Sequence, residues 1–313
     1  MEYRQLGNSG VRVSVIGIGT NRFGSEMLPQ KEVNKIVDAA IDLGINHIDT
    51  SNNYQNGRSE ECLGDALKGR WDKFVLASKF WFPTGDGTND RGASRYYIMN
   101  AVEKSLRSLQ SDHIDLYYVH RWDEYTPIEE TLRTLDDLIR MGKVRYVGVS
   151  DFASWQLAHA NLLSEVRGWT PIVVIQSEYN MLERQAEQEV LPYCRAHNVG
   201  FVPYFPLAGG FLTGKYERGK PAPPGSRGAV SESVQKYMTG ANYDRIEKLQ
   251  AWAAESGRGL NELAQAWLMA QPMVCSVISG TTKLDHVVSN VKAADWTLTA
   301  DDVAKVDAIM AGD

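Results

Sequence analysis

Eight short apolar runs are spaced along this chain, and most are separated by segments whose apolar residues recur at helical spacing. The runs are VSVIGIGT, INHIDT, FVLASK, IDLYYVH, VRYVGVS, IVVIQSE, VGFVPYF and VCSVISG. Strands that read as continuous apolar runs are buried on both faces, the condition of a parallel sheet covered by helices. Between them, KEVNKIVDAAIDLG puts Val33, Ile36, Val37, Ala40 and Ile41 on one stripe and meets Gly44 as a left-handed cap. RSEECLGDALKGR, SRYYIMNAVEKSLRSLQ and PIEETLRTLDDLIRMG behave alike, the last opening at Pro127 and closing at Gly142. The rhythm predicts an α/β fold, a (β/α)8 TIM barrel, with an open doubly wound sheet as the competing architecture. Ahead of the first run, EYRQLGNSGVRVS reads as an N-terminal hairpin turning at Asn8-Ser9-Gly10 and sealing the barrel floor.

At 313 residues the chain is long for one core, but barrels of this kind reach that length, so residues 1–313 are read as one domain. The rhythm breaks once, from Lys215 to about Tyr243, in a stretch rich in Pro, Gly, Ser and charge. A structureless stretch of that length predicts a lid or flap over a site, with a solvated excursion as the alternative. A net charge of −6 gives no whole-chain attraction to nucleic acid or to an anionic membrane. No 18-residue apolar tract predicts a membrane span, and MEYRQLGNSG is unlike a secretory signal. Cys62, Cys194 and Cys275 are scattered without metal-ligand spacing, so we expect a reduced, cytoplasmic protein.

Chemistry-bearing residues fall at the ends of the runs: Asp49 ends INHIDT, Lys79 ends FVLASK, His120 ends IDLYYVH, and Tyr54 follows in SNNYQNGRSE. A barrel gathers residues from the C-terminal ends of different strands into one active site. Taken singly, each has an ordinary role: a loop acceptor, a surface cation, a satisfied histidine, an exposed ring. Together they suit proton transfer to an alkoxide. A phenol near pKa 10 needs help to ionise at neutral pH, and an ammonium about 4 Å away supplies roughly 4 kcal/mol at an effective dielectric near 20, about three pKa units before burial opposes it. Lys79 would tune Tyr54, Asp49 would hold Lys79 charged, and His120 would hydrogen-bond a carbonyl oxygen.

HIDTSNNYQNGRSEECLGDAL, LASKF, DLYYVHRWDEYTPIEETLRTLDDLIRMGKVRYVGVSDF, IQSEYNMLER and VPYFPLAGGFLTGKY together resemble, in order and spacing, the aldo-keto reductase superfamily. The likeness covers nearly the whole chain and is nearest its longer branch of general-stress reductases, aflatoxin-aldehyde reductases and potassium-channel β subunits. It implies a (β/α)8 barrel reducing carbonyls with a nicotinamide cofactor, and it implies that Asp49, Tyr54, Lys79 and His120 are the catalytic set. GIGTNRFG is not a Rossmann fingerprint, because Arg22 stands where the third glycine belongs. PLAGGFLTGK instead offers backbone amides and Lys215 to a pyrophosphate. By the same resemblance Tyr204 stacks on the nicotinamide, and Phe205, Pro206, Leu207, Ala208 and Gly209 line the cofactor. Arg227 clamps it, Ser150 and Gln176 hold the carboxamide, and Thr20, Asn21 and Asp49 make contacts from the first two runs. Gly280, Thr282, Lys283, His286 and Asn290 are implied at the adenosine end.

Two departures from the resemblance stand out. Asp151 replaces the Asn of Ser-Asn-Phe, and a carboxylate cannot donate to the carboxamide carbonyl. His286 stands where relatives carry a phosphate-gripping Arg or sometimes Gln, yet Thr282, Lys283 and the Gly280 amide can still hold a 2′-phosphate, so NADP(H) is expected, with NAD(H) an open alternative. Phe23, Trp81 and Trp122, with Phe82 and Tyr125, predict an aromatic mouth that receives a small carbonyl or alcohol substrate together with Tyr54 and His120. A cofactor-binding regulatory or sensor subunit and an NAD-dependent sugar or alcohol dehydrogenase are the other functions considered. The oligomeric state and the physiological substrate stay open.

Overall fold

The computed structural model describes residues 1–312. Ten strands are present among the described residues: β1 (Tyr3–Gln5), β2 (Arg12–Ser14), β3 (Ile16–Gly19), β4 (His47–Asp49), β5 (Val75–Phe80), β6 (Ile114–Val119), β7 (Val144–Ser150), β8 (Ile172–Glu178), β9 (Gly200–Tyr204) and β10 (Val277–Gly280). The last eight form one parallel sheet in the order β10-β3-β4-β5-β6-β7-β8-β9. It curls on itself rather than staying open. The Phe201 N–H donates to Met273 O at 2.8 Å, and the Cys275 N–H donates to Phe201 O at 2.9 Å, which joins β9 to the approach of β10. The barrel expectation holds and the open sheet does not.

Burial explains why these runs are strands. All six residues of β6 are buried, because one face meets the barrel interior and the other the surrounding helices. The helix at Gln30–Asp42 buries Val33, Ile36, Val37 and Ala40, the spacing of one helical face. That at Ile128–Arg140 buries Leu132, Leu135 and Leu138. It carries Glu129 and Glu130 in its first turn and Arg140 in its last, which suits its dipole.

Strands β1 and β2 pair antiparallel, with Leu6 N–H to Val11 O at 3.0 Å closing the loop that holds Asn8-Ser9-Gly10. Leu6 and Val13 join Leu116, Tyr118, Val202 and Ile278 in the interior cluster, so the hairpin plugs the floor as expected. Arg4 ties it down, donating to Met269 O at 2.7 Å and Val274 O at 2.9 Å.

The stretch from Lys215 to Tyr243 departs from its expectation, since it is not structureless. It contains short helices at Arg227–Val230 and Glu232–Gln235, and a long helix starts at Gly240. Composition hid the anchors. Tyr216, Val234 and Tyr237 are buried, Tyr216 Oη accepts from Gly228 N–H at 2.9 Å, and Tyr237 donates to Glu178 at 3.0 Å.

One interior contact sets a steric limit. Tyr118 lies opposite Gly148 across β6 and β7, and a Cβ on Gly148 would sit 2.5 Å from the Tyr118 ring. The ring cannot retreat, because it is fully buried. Gly148→Ala should therefore lower unfolding free energy by about 1–3 kcal/mol through overpacking, read from urea denaturation, with Gly148→Val worse. An unchanged midpoint for the alanine variant would mean that the ring has room elsewhere.

Candidate active site

The C-terminal ends of β4, β5 and β6 bring the four catalytic candidates to one end of the barrel. Lys79 is fully buried and ion-paired to Asp49. Its Nζ also donates to Thr50 O at 2.9 Å and reaches Tyr54 Oη at 3.4 Å, 5.1 Å from that ring's centre. The second Asp49 oxygen accepts from Gln176 Nε2 at 3.0 Å, so β8 braces the pair. A buried ammonium loses its hydration, yet the Asp49 charge, and after it Tyr54, reverses that effect and holds Lys79 above its usual range.

Tyr54 differs from the sequence expectation. Burial raises its hydroxyl more than Lys79 lowers it, so the net shift is upward. The phenol is held protonated, with a cation placed to meet the phenolate. His120 lies with its ring centre 6.1 Å from that of Tyr54 and edge-on to Phe82 at 4.7 Å. Burial, then the charges of Lys79 and Arg121, holds it well below the usual imidazole range, and so neutral. A neutral imidazole offers one N–H and one lone pair. Its Nδ1 meets Ser51 Oγ at 3.3 Å, a partner the sequence reading missed. Ser51 lies two residues past Asp49, on the turn that carries the site from β4 toward Tyr54.

The dinucleotide candidates lie farther round the barrel rim. Past β9 the chain turns sharply, with positive φ at Phe205, Ala208, Gly209, Gly210 and Gly214. Asn180, also missed from sequence, donates to Phe205 O at 3.1 Å and holds that turn. Gly210 is favoured there, since its φ of 103° is one that residues with a Cβ rarely adopt. Arg227 folds over the Phe205 ring at 5.4 Å and comes within 4.0 Å of the Cβ position of Gly280. On the other side, Asn21 Oδ1 is buried without a partner, 3.7 Å from that position. Lys215, Lys283 and His286 are neighbours: after burial, both lysine charges depress His286. The two lysines have no ion-pair partner among the described residues, and the helix Leu284–Ala293 starts without a side-chain cap. Unneutralised cations, open helix N–H groups, a glycine turn and an orphaned acceptor fit a dinucleotide with its phosphates. Thr282 stands one residue before Lys283 on the same approach, half-buried.

Not every candidate faces this groove. Phe23 is fully buried in the core between barrel and helices, so it packs rather than lining the mouth. Thr20 spends its hydroxyl on Asp49 O and Ser59, both at 2.9 Å, because β3 must be laced to the helix behind it. Asn290 is buried and accepts from Gln265 at 3.0 Å, a layer behind the groove. Pro206 and Ala208 are buried, while Leu207 is half-buried. Among the described residues the Ser150 hydroxyl and Gln176 Oε1 have no hydrogen-bond partner, although Ser150 pairs with Gln176 in the ladder between β7 and β8. Asp151, by contrast, is taken: Tyr204 donates to it at 3.0 Å and Arg121 pairs with it at 2.9 Å.

Around the mouth, Trp122 packs edge-on to Phe152 and Trp155. Trp81 packs edge-on to Phe82 with the Arg91 guanidinium over its ring, and its indole N–H is buried without a partner. Tyr125 is almost wholly exposed and contributes no wall. No helix among the described residues is long and apolar enough to cross a membrane, and the three cysteines are free and buried.

Behind Lys79, Glu60 is buried and accepts from Ser78 at 2.6 Å. Burial pushes its carboxyl up to about 7 from 4.5. A raised carboxyl keeps its full stability below pH 4.5 and loses it as pH climbs through 7. The wild-type protein should thus lose, relative to Glu60→Gln, on the order of 3 kcal/mol between those limits. Parallel curves of unfolding free energy against pH for the two proteins would show that Glu60 carries no such shift.

A sequence profile described as the Aldo/keto reductase family matches residues 15–311. A probable voltage-gated potassium channel subunit beta of Oryza sativa subsp. japonica is 35% identical, with 99% of this chain and 97% of that protein aligned. An uncharacterized oxidoreductase, YrpG, of Bacillus subtilis (strain 168) is 35% identical over 100% of this chain and 97% of its own length. The L-glyceraldehyde 3-phosphate reductase of Escherichia coli (strain K12) is 30% identical over 98% of this chain and 92% of its own.

Proposed function

Because the chain belongs to the aldo/keto reductase family, we propose that it is an NADP(H)-dependent oxidoreductase that reduces aldehydes or ketones to alcohols, reversibly, with Tyr54 as general acid and base. The observation that carries this reading is the buried Asp49–Lys79 pair set against the Tyr54 hydroxyl. When bound, the reduced nicotinamide supplies the hydride.

The residues of this chain handle the proton and the charge. A carbonyl oxygen beside Tyr54 and His120 gains negative charge as the carbonyl carbon is reduced, and the Tyr54 hydroxyl gives it a proton. The phenolate left behind faces Lys79 at 3.4 Å. At that separation the attraction is about 5 kcal/mol for an effective dielectric near 20, a stabilisation absent while the phenol is neutral. Asp49 keeps the ammonium charged through both halves of the cycle. Neutral His120 donates to the same oxygen and orients it, with Ser51 behind Nδ1. In the oxidation direction the phenolate takes the alcohol proton back.

For the cofactor, Arg227 and Asn21 flank one stretch, Ser150 and Gln176 Oε1 suit the carboxamide, and Lys215, Lys283 and Thr282 suit the phosphates. We place the protein in the cytoplasm, where thiols such as its three free cysteines stay reduced. The rice relative's printed name supports a second reading, a cofactor-binding regulatory subunit. Carbonyl-dependent loss of NADPH absorbance over a panel of aldehydes and ketones separates the two, since a regulatory subunit gives none.

Tyr54→Phe should fold and bind NADPH but lose most turnover, because only a proton donor is removed. Near-normal single-turnover reduction would exclude the role. Lys79→Met should move the pH profile of alcohol oxidation upward, as the phenol loses the cation that lowers it.

His286→Arg should widen the preference for NADPH over NADH by about 1 kcal/mol or more, by adding a fixed charge beside Lys283 and Lys215. Fluorescence titration reads this directly. Tighter binding of NADH by the unmodified protein would reverse the assignment of cofactor.

A further inference from the structure

Two ion pairs lie beside the His120 imidazole. The first is Lys79 with Asp49. The second joins Arg121, one residue past His120, to Asp151, one residue past the end of β7. His120 between them is neutral. Asp151 has a left-handed backbone, φ 50°, and its N–H donates to Gln176 O at 2.9 Å, so the carboxylate is presented from a fixed corner. Both of its oxygens lie within reach of the Tyr204 hydroxyl, at 3.0 and 3.2 Å, and one also meets Arg121 Nη1 at 2.9 Å. Tyr204 is the donor throughout, because burial and then the Asp151 charge push its hydroxyl far up.

Arg121 is therefore held by a carboxylate that is itself tied to the ends of β8 and β9. Asp151 is its one ion-pair partner among the described residues. The guanidinium remains about half exposed, at 46%, and its charge is felt at His120. A cation so near the carbonyl-binding imidazole would favour anionic substrates if it stood alone. Paired, it contributes no net charge there.

We propose that the Arg121–Asp151 pair determines which charge class of substrate the site accepts, selecting uncharged aldehydes and ketones over those bearing a carboxylate or phosphate. The inference rests on the carbonyl-reductase reading above and narrows its substrate class. Asp151 acts as a positioning residue: it withholds one cation from the substrate and fixes the Tyr204 ring by its hydroxyl. The charges of half-buried Asp123 and exposed Glu124 do not replace it. Asp123 is spent on the N–H groups of Ala93 and Tyr125 and on the Thr126 hydroxyl. Glu124 makes no ion pair among the described residues and stands exposed.

Removing the negative partner while keeping its shape exposes the mechanism. In Asp151→Asn an amide oxygen still accepts from Tyr204, but the guanidinium loses its counter-charge. Two aldehydes sharing one ring serve as probes: 4-nitrobenzaldehyde, which is neutral, and 4-carboxybenzaldehyde, which is anionic. We expect the wild-type protein to favour the neutral probe in kcat/KM. In Asp151→Asn the ratio should move toward the anionic probe by about tenfold, mostly through KM, the scale of one charge-assisted contact. Adding Arg121→Gln should return it to the wild-type ratio, and Asp151→Glu should keep the neutral preference. An unchanged ratio in an active Asp151→Asn protein would overturn the proposal, as would a wild-type preference for the carboxylate.

Failure of the underlying reading looks different, because the wild-type protein would then consume NADPH with neither aldehyde. The charge inference is still decided in that case by equilibrium titration of tryptophan fluorescence with benzoate and with benzamide. Benzoate should gain on benzamide in Asp151→Asn and lose that gain when Arg121 is also changed. Equal binding in all three proteins would sink the inference.

Discussion

A full positive charge inside a barrel is the interaction on which the site depends. Lys79 has no contact with solvent, and an isolated ammonium in that position would give up its proton. Asp49 prevents this from one strand away, and Gln176 fixes Asp49 from across the barrel. The pair is of little use for stability, since buried ion pairs seldom repay their desolvation. Its use is a fixed positive field at a phenol that the surroundings otherwise keep neutral. The two opposing tendencies at Tyr54 are the ones a reversible proton donor needs: burial favours the acid before transfer, and the ammonium favours the base after it.

That field requires a particular scaffold. The four candidate groups lie at the ends of β4, β5 and β6 and on one loop, and no short segment of chain could hold them at these separations. The barrel does so because its strands are hydrogen-bonded side by side in order, and Phe201 of β9 bonds to the segment that leads into β10. Packing inside is correspondingly close. Gly148 exists where the Tyr118 ring needs space, and Lys79 Nζ lies 5.8 Å above that same ring. Interior packing and site geometry are continuous with each other.

Much of this was legible in the sequence because it rests on burial and periodicity. Eight apolar runs, the helix stripe at Val33, Ile36, Val37 and Ala40, and the floor hairpin follow from which residues avoid water. The meeting of Asp49 and Lys79 followed from their places at run ends, and that of Tyr54 from the loop directly after Asp49. What was not legible depended on side-chain direction. Phe23 follows a strand end and reads as a mouth residue, yet it turns into the core. Thr20 and Asn290 sit at the right places along the chain but bond backward, into the supporting layer. The segment after Lys215 looked structureless because prolines and glycines dominate its composition, while three well-spaced hydrophobic anchors decide its packing. The partners of Asp151 could not be read at all, since Arg121 and Tyr204 reach it from other strands.

The floor hairpin also bears on how the chain comes to be folded. Arg4 bonds to carbonyls 265 and 270 residues farther along. During synthesis at roughly 5–20 residues per second, the first strand pair must therefore wait on the order of 15–50 s for the segment that anchors it. Until then Leu6 and Val13, destined for the interior, have no interior to enter. A barrel floored by its earlier-made strands is completed only once the later ones exist, so two residues destined for the interior stay uncovered for most of the chain's synthesis.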